Sequence, residues 1–187
     1  MAGKLLQEFL NAQDPIPIVA QPIPQHQWCP PEPQCYKANF DVAVFKSSNC
    51  AGIGVIIRDW EGNSIRALTM TIPLSHSVVK LEALACRRAV QFALEIGLRE
   101  VIFEGDSALV IQAILTGSAD QSAYGNIIDD ICCQAAALQF SNFYHVKRNC
   151  NLVTDALAKK AKNYTGLQVS LEDLPKDIVH KVFFDVH

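Results

Sequence analysis

The pattern of apolar and polar residues changes along the chain, and each change predicts a different kind of element. Between residues 36 and 72, β-branched and aromatic residues form three short apolar runs, and Gly62 and Asn63 lie between the second run and the third. Short runs separated by turn residues are typical of strands joined as hairpins. We therefore predict a meander of three antiparallel strands, namely YKANFDVAVF (36–45), AGIGVIIRD (51–59) and SIRALTMTI (64–72).

Apolar residues recur at helical spacing in the second half of the chain. This spacing predicts four helices, at 77–97, 107–115, 127–138 and 151–163, and two further strands, at 99–103 and 140–146. Because a helix separates the third strand from the fourth, the chain must cross over the sheet, and part of the strand pairing is parallel. The predicted fold is α/β, a five-stranded mixed sheet with three antiparallel strands first and helices on both faces.

The N-terminal segment has a different composition from the rest of the chain. Seven of the nine prolines lie between Pro15 and Pro33, and this density removes backbone donors that a sheet would need. We predict an extended tether here. The predicted organisation is a Pro-rich extension over 1–34, a domain over 35–165 and a C-terminal tail over 166–187.

Composition limits the class of protein but not its partner. The net charge of −3 gives no overall basic field that would indicate nucleic acid. Seven cysteines, an odd number without a C-x-x-C pair, favour free thiols in a reducing compartment. No apolar run reaches the ~18 residues of a membrane span, and the N-terminus lacks a secretory signal. We expect a monomeric intracellular protein without membrane contact, in either the nucleus or the cytoplasm.

Four acidic residues fall where a mixed sheet could bring them together. Asp41 interrupts an apolar strand, Glu82 lies early in the long helix, Asp106 follows the fourth strand, and Asp155 lies near the start of the last helix. With only Lys80 as a basic neighbour, such a cluster is unfavourable unless a cation binds within it. Carboxylate oxygens favour Mg²⁺ or Mn²⁺, and two such ions about 3.5 to 4 Å apart are suited to phosphodiester cleavage.

Each acid also has an ordinary structural interpretation. Asp41 could face solvent, Glu82 could interact with the helix dipole, and Asp155 could be a surface acid. Asp106 could cap the helix that follows it, a role that is compatible with metal binding. The sequence alone does not establish that the four side chains converge.

Four motifs resemble, in order and approximate spacing, the type 1 ribonuclease H domain, in particular a plant branch related to the ends of non-LTR retrotransposon polyproteins. The motifs are NFDVAV, AGIGVIIRD, KLEALACRRAVQFALEIGLREVIFEGDSALVIQAI and HVKRNCNLVTDALAKKA, and the resemblance covers residues 35–165. It implies a ribonuclease H-like fold in which Asp41, Glu82, Asp106 and Asp155 bind two Mg²⁺ ions, with Mn²⁺ as a substitute. The implied activity is cleavage of the RNA strand of an RNA–DNA hybrid, recognised through the 2′-hydroxyl.

The resemblance also implies further site residues. Arg148 takes the place of a histidine that assists product release in bacterial members, and His145 belongs to the preceding strand. The residues expected to contact nucleic acid are Val42, Ala43, Lys147, Arg148 and Asn151.

Two other functions remain open from the sequence. Family members usually carry a small residue after the first aspartate, so the branched side chain of Val42 could leave a catalytically impaired domain that only binds nucleic acid. Alternatively, GDS at 105–107 and DIVH at 177–180 imitate the serine and histidine blocks of GDSL-type ester hydrolases. The second alternative is weak, because the GDS block follows the fourth strand instead of the first.

Overall fold

Six strands form one mixed sheet in the computed structural model, which describes residues 27–117, 123–170 and 174–186. The order across the sheet is β5-β4-β1-β2-β3-β6. The β1–β4 and β4–β5 pairs are parallel, and the other three pairs are antiparallel. The strands are β1 (Tyr36–Phe45), β2 (Cys50–Arg58), β3 (Ser64–Pro73), β4 (Glu100–Gly105), β5 (Phe140–His145) and β6 (Leu167–Ser170).

Five α-helices accompany the sheet in the part of the chain that the structure describes. They are α1 (Val78–Glu95), α2 (Ala108–Thr116), α3 (Gly125–Ala135), α4 (Leu152–Lys160) and α5 (Lys176–Val186). The first four correspond to the predicted helices, and the hydroxyl of Ser77 caps α1 by accepting a hydrogen bond from the Lys80 N–H. None of the helices in the described ranges has the length and hydropathy that a membrane crossing requires. All seven cysteines are described and carry free thiols.

The predicted count of five strands is wrong, because β6 adds a sixth at the edge beside β3. This strand has only four residues, and most of them are exposed, so it lacks the apolar run by which a strand is recognised in a sequence. It lies in the segment that we predicted as a C-terminal tail. The same segment forms α5, whose Ile178 is fully buried. Residues 1–26 of the predicted tether lie outside the described residues.

The two faces of the sheet cover separate cores. Val55 and Ile57 of β2 point into the larger core, which α1, α2 and α3 cover. Ile56, between them, points to the opposite face and packs with residues of α4 and α5. This alternation follows from the two-residue repeat of a strand. It places helices on both faces of the sheet.

Helix α4 lies unusually close to β2. A Cβ atom added at Gly54 would overlap the carbonyl oxygen of Thr154 and the backbone nitrogen of Ala158. Gly54 is the register partner of Asp41 in β1. The missing side chain therefore brings α4, which carries Asp155, directly against the sheet beside Asp41.

We expect Gly54→Ala to lower the free energy of unfolding by about 3 kcal/mol, because the new methyl group meets backbone atoms that can move only if α4 moves. Gly97→Ala is the matched control. Gly97 has a φ of +78° and open space where a Cβ would lie. Its replacement by alanine should therefore lower the free energy of unfolding by about 1 kcal/mol through backbone strain alone. Urea unfolding of both variants measures the difference, and equal costs would contradict the close approach of α4.

Candidate metal centre

Three carboxylates meet where β1 and β4 separate. The parallel pairing of these strands ends at Asn39 and Glu104. Asp41 lies two residues beyond this pair along β1, and Asp106 follows the end of β4. Glu82 reaches the same point from α1. One carboxylate oxygen from each of Asp41, Glu82 and Asp106 lies within 4.8 Å of the other two. Three elements thus place these acids within the reach of a common cation.

Burial and mutual repulsion make the charged state of this cluster unfavourable. Burial, followed by the neighbouring charges of Asp106 and Asp155, raises the pKa of Asp41 to about 7. The pKa of Glu82 rises to about 8, again chiefly by burial and then through Asp41 and Asp106. Arg148 acts in the opposite direction on both groups, by a smaller amount. The cluster therefore has the electrostatic character that a bound divalent cation would relieve.

The hydrogen bonding of these carboxylates fits a metal ion. The backbone N–H of Val42 donates to Asp41 Oδ1 at 2.7 Å. The other oxygen, Asp41 Oδ2, and the Glu82 Oε2 atom are buried and have no hydrogen-bond partner among the described residues. Buried polar atoms are normally satisfied. Unpaired carboxylate oxygens that face a third carboxylate are the donor set that hard cations such as Mg²⁺ and Mn²⁺ prefer.

Asp155 is held differently from the other three acids. Its carboxylate accepts a hydrogen bond from Lys159 at 2.6 Å and lies 3.6 Å from the Arg148 guanidinium. It lines the same cleft as the three clustered carboxylates. The structure therefore brings three of the four predicted ligands together and places the fourth in the same cleft, paired with two cations.

The cleft around these carboxylates has a volume of about 350 Å³. Apolar side chains form one part of the lining, and the partly exposed Val44 and Val78 belong to it. Basic side chains form another part. The remaining lining residues are Asp41, Val42, Ala43, Phe45, Glu82, Asp106, Arg148, Asp155 and Lys159. The acids are thus flanked by an apolar surface and by positive charge.

The residues predicted to contact nucleic acid differ in their accessibility. Arg148 is 72% exposed at its side chain, and Lys147 is also exposed. Val42 and Ala43 are each 9% exposed, and Val42 packs into the larger core. Asn151 is only 1% exposed, so its side chain has almost no surface for a direct contact.

Asn151 instead fixes the start of α4. Its amide donates to the carbonyl of Phe40 in β1 at 2.8 Å, and its side-chain oxygen accepts a hydrogen bond from Thr154. Phe40 directly precedes Asp41, and Thr154 directly precedes Asp155. Asn151 therefore ties together the two backbone segments that carry these acids.

Sequence reasoning missed a buried polar group beside the cluster. Glu104 forms a buried ion pair with Lys37 at 2.8 Å, and both side chains are 7% exposed. Asn39 donates to the other oxygen of Glu104 at 2.9 Å. The available signal was the alternation of Lys37, Asn39 and Asp41 along β1, which places three polar side chains on one face of an otherwise apolar strand.

Comparisons with known proteins agree on the fold. The family model described as reverse transcriptase-like matches residues 39–161. A comparison with curated proteins gave no significant match. The RNase H1 of the halophilic archaeon Halobacterium salinarum NRC-1 has a TM-score of 0.62 at 24% identity, over 68% of this chain and 97% of that chain.

Two further solved structures are similar. LC11-RNase H1, determined in complex with an RNA/DNA hybrid, has a TM-score of 0.60 at 22% identity, over 68% of this chain and 96% of its own. The N-terminal RNase H domain of rv2228c from Mycobacterium tuberculosis has a TM-score of 0.60 at 18% identity, over 68% of this chain and 93% of its own. At these identities the likeness establishes a common fold.

The raised pKa values predict how stability depends on pH without metal. Between about pH 4, where the carboxyls of an unfolded chain release their protons, and about pH 8, the folded cluster retains protons that the unfolded chain has lost. The free energy of unfolding should therefore fall as pH rises through this window.

Urea unfolding in EDTA at several pH values tests this expectation. In Asp41→Asn the free energy of unfolding should fall less as pH rises, and near pH 8 this variant should be more stable than the wild type. Asp129→Asn, which removes an exposed acid from α3, should retain the wild-type slope. If the free energy of unfolding changes with pH in parallel in the wild type and in Asp41→Asn, the raised pKa of Asp41 does not cause the pH dependence.

Proposed function

Because the chain belongs to the reverse transcriptase-like family and has the type 1 ribonuclease H fold, we propose that it is a metal-dependent endonuclease that cleaves the RNA strand of RNA–DNA hybrids. The fold resemblance inferred from the sequence is confirmed. One observation carries the proposal of activity. Asp41, Glu82 and Asp106 converge from three elements and leave two buried carboxylate oxygens without a hydrogen-bond partner among the described residues.

In this proposal Asp41, Glu82 and Asp106 hold divalent ions, and Asp155 completes the ligand set. Two Mg²⁺ ions, or Mn²⁺ in their place, would supply an activated water and neutralise charge at the leaving oxygen. Asp155 is paired with Lys159 and Arg148, which are mostly exposed. Because both basic side chains reach solvent, each can return to water when a cation takes its place beside Asp155.

The basic residues of the cleft supply the attraction for a polyanion. Lys159 and Arg148 lie beside the acids, and Lys147 is exposed next to Arg148. Because the whole chain carries a net charge of −3, this local charge is needed to hold phosphates near the carboxylates. The apolar side chains of Val44 and Val78 offer a surface for sugars and bases. Arg148 in this position is suited to assist product release.

The finer expectations from the sequence belong to the same proposal. They are an origin in the plant branch of retrotransposon-derived domains, an intracellular location and a monomeric state. The expectation of a reducing compartment rests on the sequence, which has seven cysteines, an odd number without a C-x-x-C pair.

The two alternative functions receive less support. Ser107 precedes α2 on the face of the larger core, whereas His180 is exposed on α5 and belongs to the helix that packs with α4 on the other face. A serine–histidine pair is therefore not formed. The impaired-domain alternative depends on obstruction by Val42, whose side chain is directed into the core and is 9% exposed.

Single-turnover cleavage tests the proposed activity. With Mg²⁺ the wild type should cut a hybrid labelled on its RNA strand, leave a DNA-labelled hybrid intact, and lose activity in EDTA. Asp106→Asn should reduce the rate at least about 100-fold, because it removes a ligand carboxylate. Asp129→Asn removes an exposed acid that does not line the cleft and should retain the wild-type rate. Equal cutting by Asp106→Asn would contradict the site.

Val42→Ala tests whether this residue obstructs the substrate. The variant should lose about 2 kcal/mol of stability, because two buried methyl groups are removed. Its rate of hybrid cleavage should stay within about twofold of the wild type, because the missing atoms face the core and the orientation of substrate is unchanged. An increase of tenfold or more would support the impaired-domain alternative.

A further inference from the structure

Five buried side chains form a connected polar group beside the metal centre, here called the strand clamp. Trp28 Nε1 donates to Asn39 Oδ1 at 2.9 Å, and Asn39 Nδ2 donates to Glu104 Oε2 at 2.9 Å. The ammonium of Lys37 lies 2.8 Å from Glu104 Oε1. The fifth member is Arg58, whose guanidinium carbon lies 3.8 Å from the centre of the Trp28 ring. The clamp links β1, β2, β4 and the segment before β1.

Trp28 covers this group on the sheet. It is 3% exposed, and beneath it Lys37 and Arg58 are register partners across β1 and β2. Two adjacent cations buried at 5% and 0% exposure need compensation, which the aromatic ring and Glu104 provide. Lys37 also donates to the carbonyl of Cys29 at 2.6 Å, which fastens the same segment to the sheet. Residues 28 and 29 are therefore part of the folded domain.

The position of the clamp relative to the carboxylates is the important feature. Asn39 and Glu104 are the last paired residues of the β1–β4 ladder. Beyond this pair, no backbone hydrogen bonds of the ladder hold Asp41 and Asp106 at a fixed separation. One carboxylate oxygen of Asp41 lies within 4.8 Å of one of Asp106, so negative charges on the two groups repel each other. The side-chain bridge from Asn39 to Glu104 joins the two strands at this last pair, and one residue further along the ring of Phe40 packs against Gly105.

We propose that Trp28 is a positioning residue for the metal centre. By donating to Asn39, Trp28 fixes the bridge between Asn39 and Glu104, and this bridge sets the distance between Asp41 and Asp106. The inference rests on the proposed function, because it assumes that these acids bind metal. Loss of the indole N–H leaves Asn39 Oδ1 buried without its donor, so the amide reorients and the bridge to Glu104 is lost.

Trp28→Phe is the informative substitution in the full chain. It retains an aromatic ring over Lys37 and Arg58 but removes the Nε1–H. Mn²⁺ affinity, measured by titration calorimetry and by the free-ion EPR signal, should weaken about tenfold, as for other groups that orient metal ligands. The matched control is Trp60→Phe, which changes the other tryptophan of the chain, 38% exposed and packed edge-on against Tyr36. This control should bind Mn²⁺ like the wild type.

A mutant cycle separates positioning from general destabilisation. Asn39→Ala should weaken Mn²⁺ binding as much as Trp28→Phe, and the double variant should be no weaker than either single variant, because both act through one bridge. Circular dichroism and urea unfolding ensure that each variant is folded at the temperature of the titration. Should Trp28→Phe fail to fold, Asn39→Ala provides the same test.

The outcomes distinguish the two proposals. If Trp28→Phe or Asn39→Ala binds Mn²⁺ with the wild-type affinity, the positioning role is overturned. The proposed metal centre is not affected by that result. Independent, additive losses in the double variant overturn the common bridge. A wild type that binds no more Mn²⁺ than Asp106→Asn overturns the metal centre itself and the positioning role with it.

Discussion

Repulsion among three carboxylates is the constraint on which the arrangement of this protein depends. Asp41, Glu82 and Asp106 are held within 4.8 Å of one another in a partly buried site, where the first two tend to retain their protons. If the three acids lay in one short segment of the chain, that segment could change its conformation and move the carboxylates apart. Here Asp41 belongs to β1, Glu82 belongs to α1 and Asp106 directly follows β4, and each of these elements is anchored in the larger core or in the sheet. The favourable free energy of packing throughout the domain thus offsets the unfavourable free energy of this cluster.

Much of the fold could be predicted because its core elements have strong periodic patterns. The β1 segment is buried over most of its length, and α1 repeats apolar residues over 18 positions, so both were identified with nearly correct ends. The edge strand β6 could not be recognised, since an exposed four-residue strand has little apolar pattern and takes its stability from pairing with β3. Its presence depends on a neighbour that the local sequence does not reveal.

The site was predictable to a similar degree and for related reasons. The positions of Asp41, Glu82 and Asp106 follow from where strands and a helix begin and end, which the pattern does reveal. The pairing of Asp155 with Lys159 and Arg148 depends on side-chain rotamers, and the burial of Asn151 depends on how closely α4 approaches β1. Trp28 was assigned to a tether because its segment is rich in proline. Its contact with Asn39 becomes apparent only when the sheet face that it covers is known.

The wide spacing of the clustered acids along the chain also bears on folding. The bridge from Asn39 to Glu104 joins residues 65 positions apart, and α1 lies between them in the sequence. A contact of this range requires a long loop to close, and the closure costs conformational entropy that the contact must offset. A chain in which this loop is still open thus contains all three acids but not their cluster. Under the proposed function, a chain in which this long loop has not closed would have no site at which to cut nucleic acid.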